Sequence, residues 1–398
     1  MFDVAIIGAG AAGMMCAAVA GQRGLRVVLI DHAARLGEKI RISGGGRCNF
    51  TNTGTGPANF LSENPHFCRS ALAGYGPQDF LALLRGYRVA WHEKHRGQLF
   101  CDESSAAIID VLRAECDAGG VQWRMPCTVA EIGRSGEHGF ELRTEGQGVL
   151  HAGKVVIATG GMAIPQLGAT DYGLKVARQF GLKVVEPRPA LVPLTFDAAR
   201  WAPFAALSGV ALEAGVRSGP GEFLEDVLFT HRGLSGPGIL QISSYWNPGQ
   251  PVVLDLADGR DLAEELIAAK AGGRQQLGTA LSALWPRRLA EQWLLDMTDA
   301  KGQPLAQARL ADIPDKTLRG LARAVHAWEV VPTGTAGYKK AEVMRGGVDT
   351  RGLDQKSMQA RSVPGLHFIG EVVDVTGWLG GYNFQWAWAS GVACGKAL

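Results

Sequence analysis

Charge of one sign is what this sequence most lacks. Its 398 residues hold 40 Lys and Arg against 38 Asp and Glu, a formal net charge of +2. That balance argues against a dedicated nucleic-acid binder, whose hold on a polyanion rests on excess cations, and leaves a local basic patch open; nucleic acid is not an expected partner. Paired cysteines are absent too. The seven cysteines, at 16, 48, 68, 101, 116, 127 and 394, form no C-x-x-C and no zinc spacing. This excludes dithiol exchange of the disulfide-reductase kind and suits the reduced thiols of a cytoplasmic protein. Trp91-His92-Glu93-Lys94-His95 brings its second histidine one residue early for the H-E-x-x-H pattern, so it reads as a solvated polar stretch and no metal is expected. The uncharged run Val4 to Gln22 has no basic stretch before it and is broken by glycines, which favours strand, turn and helix over a membrane span. No repeat, heptad array or low-complexity tail is present, and the length suits about two to three domains.

Glycine, with 54 residues, is the excess, and its first cluster organises the chain. Phe2-Asp3-Val4-Ala5-Ile6-Ile7 is an apolar run suited to a buried strand, and Gly8-Ala9-Gly10-Ala11-Ala12-Gly13 completes a G-x-G-x-x-G directly after it. Gly8 permits the tight turn, Gly10 lets the backbone approach a pyrophosphate, and Gly13 lets the next helix lie close on the strand. That helix, Ala11 to about Arg23, aims the amides of its first turn, Ala11 and Ala12, at the phosphates. Leu25 to Ile30 forms the second strand. Asp31 then falls where a carboxylate accepts hydrogen bonds from an adenosine ribose.

A second cluster runs Lys39-Ile40-Arg41-Ile42-Ser43-Gly44-Gly45-Gly46-Arg47-Cys48-Asn49-Phe50-Thr51-Asn52. Three consecutive glycines leave backbone amides uncovered, and Ser43, Arg47 and Asn49 add donors, a combination able to hold a polar edge or a phosphate. The run resembles the Lys-x-x-x-Ser-Gly-Gly-Gly-Arg-Cys-Asn-x-Thr-Asn signature of the BaiN-like, aminoacetone-oxidase-type family of bacterial FAD-binding oxidoreductases. Asp31 stands where that family more often has Glu, and either acid can serve a ribose.

Further strings carry the resemblance along the chain. Lys154 to Ile157 is a buried strand ending in Ala158-Thr159-Gly160-Gly161, similar to the second mark of two-dinucleotide-fold flavoproteins. Pro187 to Leu194 matches the family, and its three prolines mark a domain boundary. Val121 to Gly153 alternates as a small antiparallel unit, and Thr195 to about Gly259 reads as a small barrel or sandwich. Thr230-His231-Arg232-Gly233-Leu234-Ser235-Gly236-Pro237 resembles a family motif; either His231 and Arg232 line the substrate side of the flavin, or the Gly-Pro chemistry merely shapes a turn. Asp261 to Trp328 is read as helical, with Leu318, Leu321, Val325 and Trp328 on one face. Near the C-terminus a strand ends at Gly370-Glu371, Asp374 follows, and Gly380-Gly381-Tyr382-Asn383 opens an amphipathic helix to Gly391. By resemblance its start faces the isoalloxazine, with Gly380 and Gly381 bare so that no side chain holds the ring away. The sequence departs from the family at Met344-Arg345 and Ala360-Arg361, which leaves the substrate open.

These readings give an α/β fold: a two-dinucleotide-binding-type, Rossmann-like FAD domain (1–189 and 346–398), an inserted β-rich subdomain (190–260 and 329–345) and a small helical subdomain (261–328). The resemblance implies non-covalent FAD on Gly8, Gly10, Ala11, Ala12, Gly13, Asp31, Lys39, Ser43, Gly44, Gly45, Gly46, Arg47, Cys48, Asn49, Ala158, Thr159, Gly160, Gly370, Glu371, Asp374, Gly380, Gly381, Tyr382 and Asn383. His231, Arg232 and Tyr382 are the catalytic candidates. No second G-x-G-x-x-G follows a strand, so NADH or NADPH is expected as a transient donor and a small molecule as acceptor. A flavin-dependent RNA-modifying enzyme and a non-catalytic redox sensor are the alternatives.

Overall fold

Val4, Ala5, Ile6 and Ile7 are buried on both faces, as a strand must be when a sheet is covered on both sides. In the computed structural model, which describes residues 1–136, 139–257, 259–298 and 302–398, this strand, Phe2–Ile7, lies inside a mixed sheet. The order is Gln122–Arg124, Val27–Ile30, Phe2–Ile7, Gly148–Ile157, Gly139–Thr144, Val129–Ser135, with Leu366–Phe368 also pairing Gly148–Ile157. The first four strands and Leu366–Phe368 are parallel, and the other pairings are antiparallel. Gln122–Arg124 therefore extends the parallel part instead of joining the antiparallel unit that its alternation suggests. Registers Ile7↔Ile157, Ile7↔Ile30 and Ile157↔Phe368 bring four strand ends level.

The chain divides into two compact units: Met1–Arg188 with Glu342–Leu398, and Pro189–Ala341. In the first, the helix Ala11–Gln22 packs on the C-terminal helix Tyr382–Ala397 at backbone distance. A Cβ on Gly391 would stand 2.7 Å from the Ala12 carbonyl oxygen, and one on Gly395 2.8 Å from the Val19 Cβ. Both sides of the C-terminal helix are covered, so Trp386, Trp388, Ala389, Ser390 and Val392 are all buried. This corrects the amphipathic reading: a helix apolar all round belongs inside. Trp388 stacks on Phe80 at 4.6 Å and donates its indole N–H to the Phe50 carbonyl. At about 25 cal/mol per Å², a buried Trp contributes about 4 to 6 kcal/mol as an upper estimate.

The second unit is built on one seven-stranded antiparallel sheet, from Trp328–Val330 through Val252–Asp255, Ala211–Ser218, Gly221–Thr230, Gly233–Ser235 and Leu194–Thr195 to Gly334–Thr335. Helices Leu262–Ala269, Leu277–Ser282, Arg287–Leu294 and Asp315–His326 are tied to it, Trp285 Nε1 donating to the Leu256 carbonyl at 2.8 Å. Trp328 pairs with Leu254 in the sheet and not with the helix face of Leu318, Leu321 and Val325. The helix stops at His326, whose Nδ1 lies 2.8 Å from Asp255.

Candidate dinucleotide site

The register that levels Ile7, Ile30, Ile157 and Phe368 also gathers the residues just beyond these strand ends: Gly8, Asp31, Ala158 and Gly370. Ligands of open parallel sheets sit outside these carboxyl ends. The three glycines of the first turn face three different demands. Gly8 has φ +112°, and a Cβ there would come 2.3 Å from the Ala158 carbonyl oxygen; one on Gly13 would come 1.9 Å from the Gly8 oxygen. At Gly10 a Cβ would meet nothing within 4 Å, so this position alone opens onto free space. The first-turn amides of the following helix have no acceptor within it.

Asp31 has a task the sequence did not show. Its Oδ2 accepts the Ala9 N–H at 2.7 Å and its Oδ1 the Ala33 N–H at 2.8 Å, so it pins the glycine turn itself. Each carboxylate oxygen keeps a second lone pair for a further donor.

On the other wall, Lys39 Nζ lies 2.8 Å from Glu371 Oε2, while Glu371 Oε1 accepts the Met344 N–H at 2.9 Å. A Cβ on Gly161 would come within 2.7 Å of that Oε1. Thr159 Oγ1 is buried with no hydrogen-bond partner, beside Ala158 and the left-handed Gly160 (φ +69°). Gly370, at φ +72°, is fixed by its N–H to Ser390 Oγ and by Trp386 Nε1 to its carbonyl, both at 3.0 Å.

In the glycine-rich loop Gly44, Gly45 and Gly46 are all left-handed, and a Cβ on Gly45 or Gly46 would meet nothing within 4 Å. Ser43 Oγ donates to the Ile40 carbonyl, and Arg47 is exposed. Cys48 is fully buried, and burial, countered in part by Ser43, pushes its thiol up to about 12. It stays protonated at neutral pH and is no nucleophile. The Asn49 amide lies 3.3 Å from the Gln98 Oε1.

The C-terminal motif is placed differently from its sequence reading. A Cβ on Gly381 (φ +97°) would strike the Thr51 carbonyl at 2.4 Å, and one on Gly380 (φ +110°) the Gln98 side chain at 2.8 Å. These glycines are bare because protein backbone and side chain press on them. Asn383 turns its amide onto the Gly377 N–H and carbonyl at 2.8 and 2.9 Å, so its side chain is committed to that loop. Asp374 accepts from the Glu63 N–H at 2.8 Å and Ser62 Oγ at 3.3 Å, and its burial raises its pKa. Tyr382 is buried edge-on against Phe60 and Trp378. Ser62, Thr51, Gln98 and Met344 complete these contacts, and nothing local to them in the sequence announces it.

His231 and Arg232 belong to the second unit, exposed on the turn between Gly221–Thr230 and Gly233–Ser235. Thr230 Oγ1 donates to the Gly233 carbonyl at 2.9 Å, and a Cβ on Gly236 would meet the Asp226 oxygen at 2.7 Å. The motif shapes a tight turn. Among the described residues no His, Cys, Asp and Glu cluster is placed to hold a metal ion, and no helix is long and apolar enough to cross a membrane.

Residues 2–397 match the HI0933-like protein Rossmann domain. The chain is 47% identical to a protein of Escherichia coli K12 named ribosomal RNA dihydrouridine synthase, over 407 residues covering 100% of this chain and 98% of the relative. A Haemophilus influenzae Rd protein of the same name is 43% identical over 99% of this chain and 97% of its own. A 3-dehydro-bile acid delta(4,6)-reductase of Clostridium scindens is 29% identical over 100% of this chain and 99% of its own.

Proposed function

The chain belongs to the HI0933-like Rossmann family of flavin-binding oxidoreductases, and from that premise we propose that it is an FAD-dependent reductase that converts a uridine of ribosomal RNA to dihydrouridine. The observation that carries this reading is the 47% identity, from end to end, with a protein named for that reaction. The bile acid reductase at 29% favours a second reading, the small-molecule acceptor that the sequence suggests. The higher identity ranks RNA first.

Three features of the site suit FAD: the open space at Gly10, the spare lone pairs of Asp31 and the buried, unpartnered hydroxyl of Thr159. Gly8 to Gly13, with the amides of Ala11 and Ala12, would hold the pyrophosphate, and Asp31 the adenosine ribose. Lys39, Gly45, Gly46, Thr159, Gly160, Glu371 and the start of the C-terminal helix would serve the ribityl and ring portions. FAD, when bound, would supply hydride chemistry, with NADH or NADPH as the source of the two electrons; reduction of the C5–C6 double bond of uridine takes one hydride and one proton, the proton from solvent. The chain's own part is to orient and to exclude water: Asp31 locks the turn, the Lys39 and Glu371 pair holds Met344 in place, and the buried Tyr382 and Trp386 back the wall. A ribosomal RNA substrate would place the enzyme in the cytoplasm.

The test is to reduce the flavin-loaded protein anaerobically with NADH or NADPH and mix it with ribosomal RNA transcribed in vitro. The RNA should restore the oxidised flavin spectrum. Reoxidation by small acceptors but never by RNA would overturn the RNA reading and favour the second.

A further inference from the structure

The near-neutral net charge conceals an uneven surface. Between residues 85 and 96 the chain carries four cations, Arg85, Arg88, Lys94 and Arg96, against one acid, Glu93. All four cations are exposed. They fall at the end of the helix Pro77–Gly86 and on the hairpin of Trp91–Glu93 with Gln98–Cys101. Two acids nearby have partners: Glu93 accepts the Gly97 N–H at 3.0 Å, and Asp102 lies 2.7 Å from His92 Nδ1. Aromatic rings are interleaved, the Arg85 guanidinium standing 5.6 Å over the half-buried Trp91 ring and the Lys94 ammonium 5.6 Å over Phe100.

This basic hairpin is fastened to the dinucleotide site. Asn52 Nδ2 donates both to the Arg96 carbonyl and to the Gly380 carbonyl, each at 3.1 Å. Gly97 leaves no room for drift, since a Cβ there would come 2.6 Å from Asn52 Oδ1 and from Thr53 Oγ1. Gln98, at the foot of the hairpin, lies so near Gly380 that a Cβ there would come 2.8 Å from its side chain. One asparagine thus fixes the cationic turn against the start of the C-terminal helix.

We propose that this basic segment, in which Arg85 lies over Trp91 and Lys94 over Phe100 on the opposite side of the hairpin, with Arg88 and Arg96 in its turns, is where the sugar-phosphate backbone of the RNA substrate docks, held in fixed relation to the Gly380–Gly381 end of the site. The inference rests on the RNA reading above and adds the place where RNA binds. Phosphate contacts set register and orientation without reading bases, which is what an enzyme acting on one nucleotide needs from a surface beside its site. Each such contact releases counterions, so affinity should fall steeply with salt.

The experiment measures binding of fluorescently labelled, in vitro transcribed ribosomal RNA across a salt series. The flavin-loaded wild type is compared with the triple variant Arg85→Ala, Arg88→Ala, Lys94→Ala. Losing three phosphate contacts should lower the slope of log K against log salt by about two to three and weaken binding about tenfold or more. A second triple variant, Arg143→Ala, Lys175→Ala, Arg178→Ala, removes equal charge from other elements and should keep the wild-type slope. Flavin content of each purified variant reports its fold, and dihydrouridine formed by the wild type tests the underlying reading separately. If the wild type binds and modifies RNA while the first variant keeps its slope and affinity, the docking segment is wrong and the RNA reading stands. Equal losses in the two variants would also overturn it, because net charge and not this segment would then govern binding. A wild type that neither binds nor modifies the RNA overturns both.

Discussion

Gly10→Ala separates what the fold needs from what the cofactor needs. Gly10 has φ −88° and ψ −166°, extended backbone open to any residue, and a Cβ there meets no atom within 4 Å. The methyl therefore costs the apoprotein little: loss of backbone freedom in the unfolded chain stabilises by about 0.4–1 kcal/mol, and a poorer helix-capping residue offsets a similar amount. The free space it fills is where a pyrophosphate would approach the amides. Pushing the phosphates back by an ångström or more weakens one or two charge-assisted hydrogen bonds of about 1.5–3 kcal/mol each. FAD affinity should then fall by about tenfold to several hundredfold. Gly13→Ala is the mirror case, because its Cβ would stand 1.9 Å from the Gly8 oxygen and must displace the helix. It should lower apoprotein stability by about 1–3 kcal/mol or more. Thermal melts of the apoproteins and flavin-fluorescence titrations read both quantities. A Gly10→Ala protein with unchanged melting and unchanged FAD affinity would show that no pyrophosphate lies over this turn.

Asp31→Ala should hurt twice, since it removes the acceptor of the Ala9 and Ala33 N–H groups as well as the proposed ribose ligand. Apoprotein stability should drop by about 2–4 kcal/mol and FAD binding by a further 1–3 or so, whereas an unaltered apoprotein melt would refute the pinning role. Asp374 has a raised pKa from burial, so the native state holds its proton longer and loses stability as pH rises above the ordinary carboxyl value of 3.8. Asp374→Asn, which keeps the acceptor oxygen for Glu63, should be the more stable protein at neutral pH and lose that advantage in acid; denaturant melts across pH decide. His367 is pulled down from 6.5 to about 4, by burial first and by the Lys154 charge, against the pull of the Ser357 carbonyl. It is neutral in the native state, so its contribution is present above pH 6.5 and is lost as pH falls toward 4, about 3 kcal/mol in all. His367→Gln should flatten that limb of the stability profile, and an unchanged limb would assign it to other groups.

The opening strand, turn and helix were legible because each constraint lies between neighbours: Gly8, Gly10 and Gly13 are spaced by the geometry of one turn. Contacts across the chain were not. Lys39 meets Glu371 and Ser62 meets Asp374 at separations of 332 and 312 residues, and a carboxylate in a ligand-like motif reads the same whether it faces a ligand or a loop. Asp374, Asn383, Gly380 and Gly381 were picked out by their motifs, yet the structure gives all four protein partners. The C-terminal helix misled through its polar residues, Gln385 and Ser390, which are buried and satisfied by Thr51, Tyr75, Trp386 and Gly370. Net charge is a sum over 398 residues and carries no information on where charges lie, such as the four cations between residues 85 and 96.

The most direct test of the central claim is nucleoside mass spectrometry of unmodified ribosomal RNA after incubation with the FAD-loaded protein and NADH or NADPH. Uridine should gain two hydrogens at a defined position, dependent on both flavin and reductant. Ribosomal RNA free of dihydrouridine, with the same preparation turning over a small-molecule acceptor, would contradict that claim.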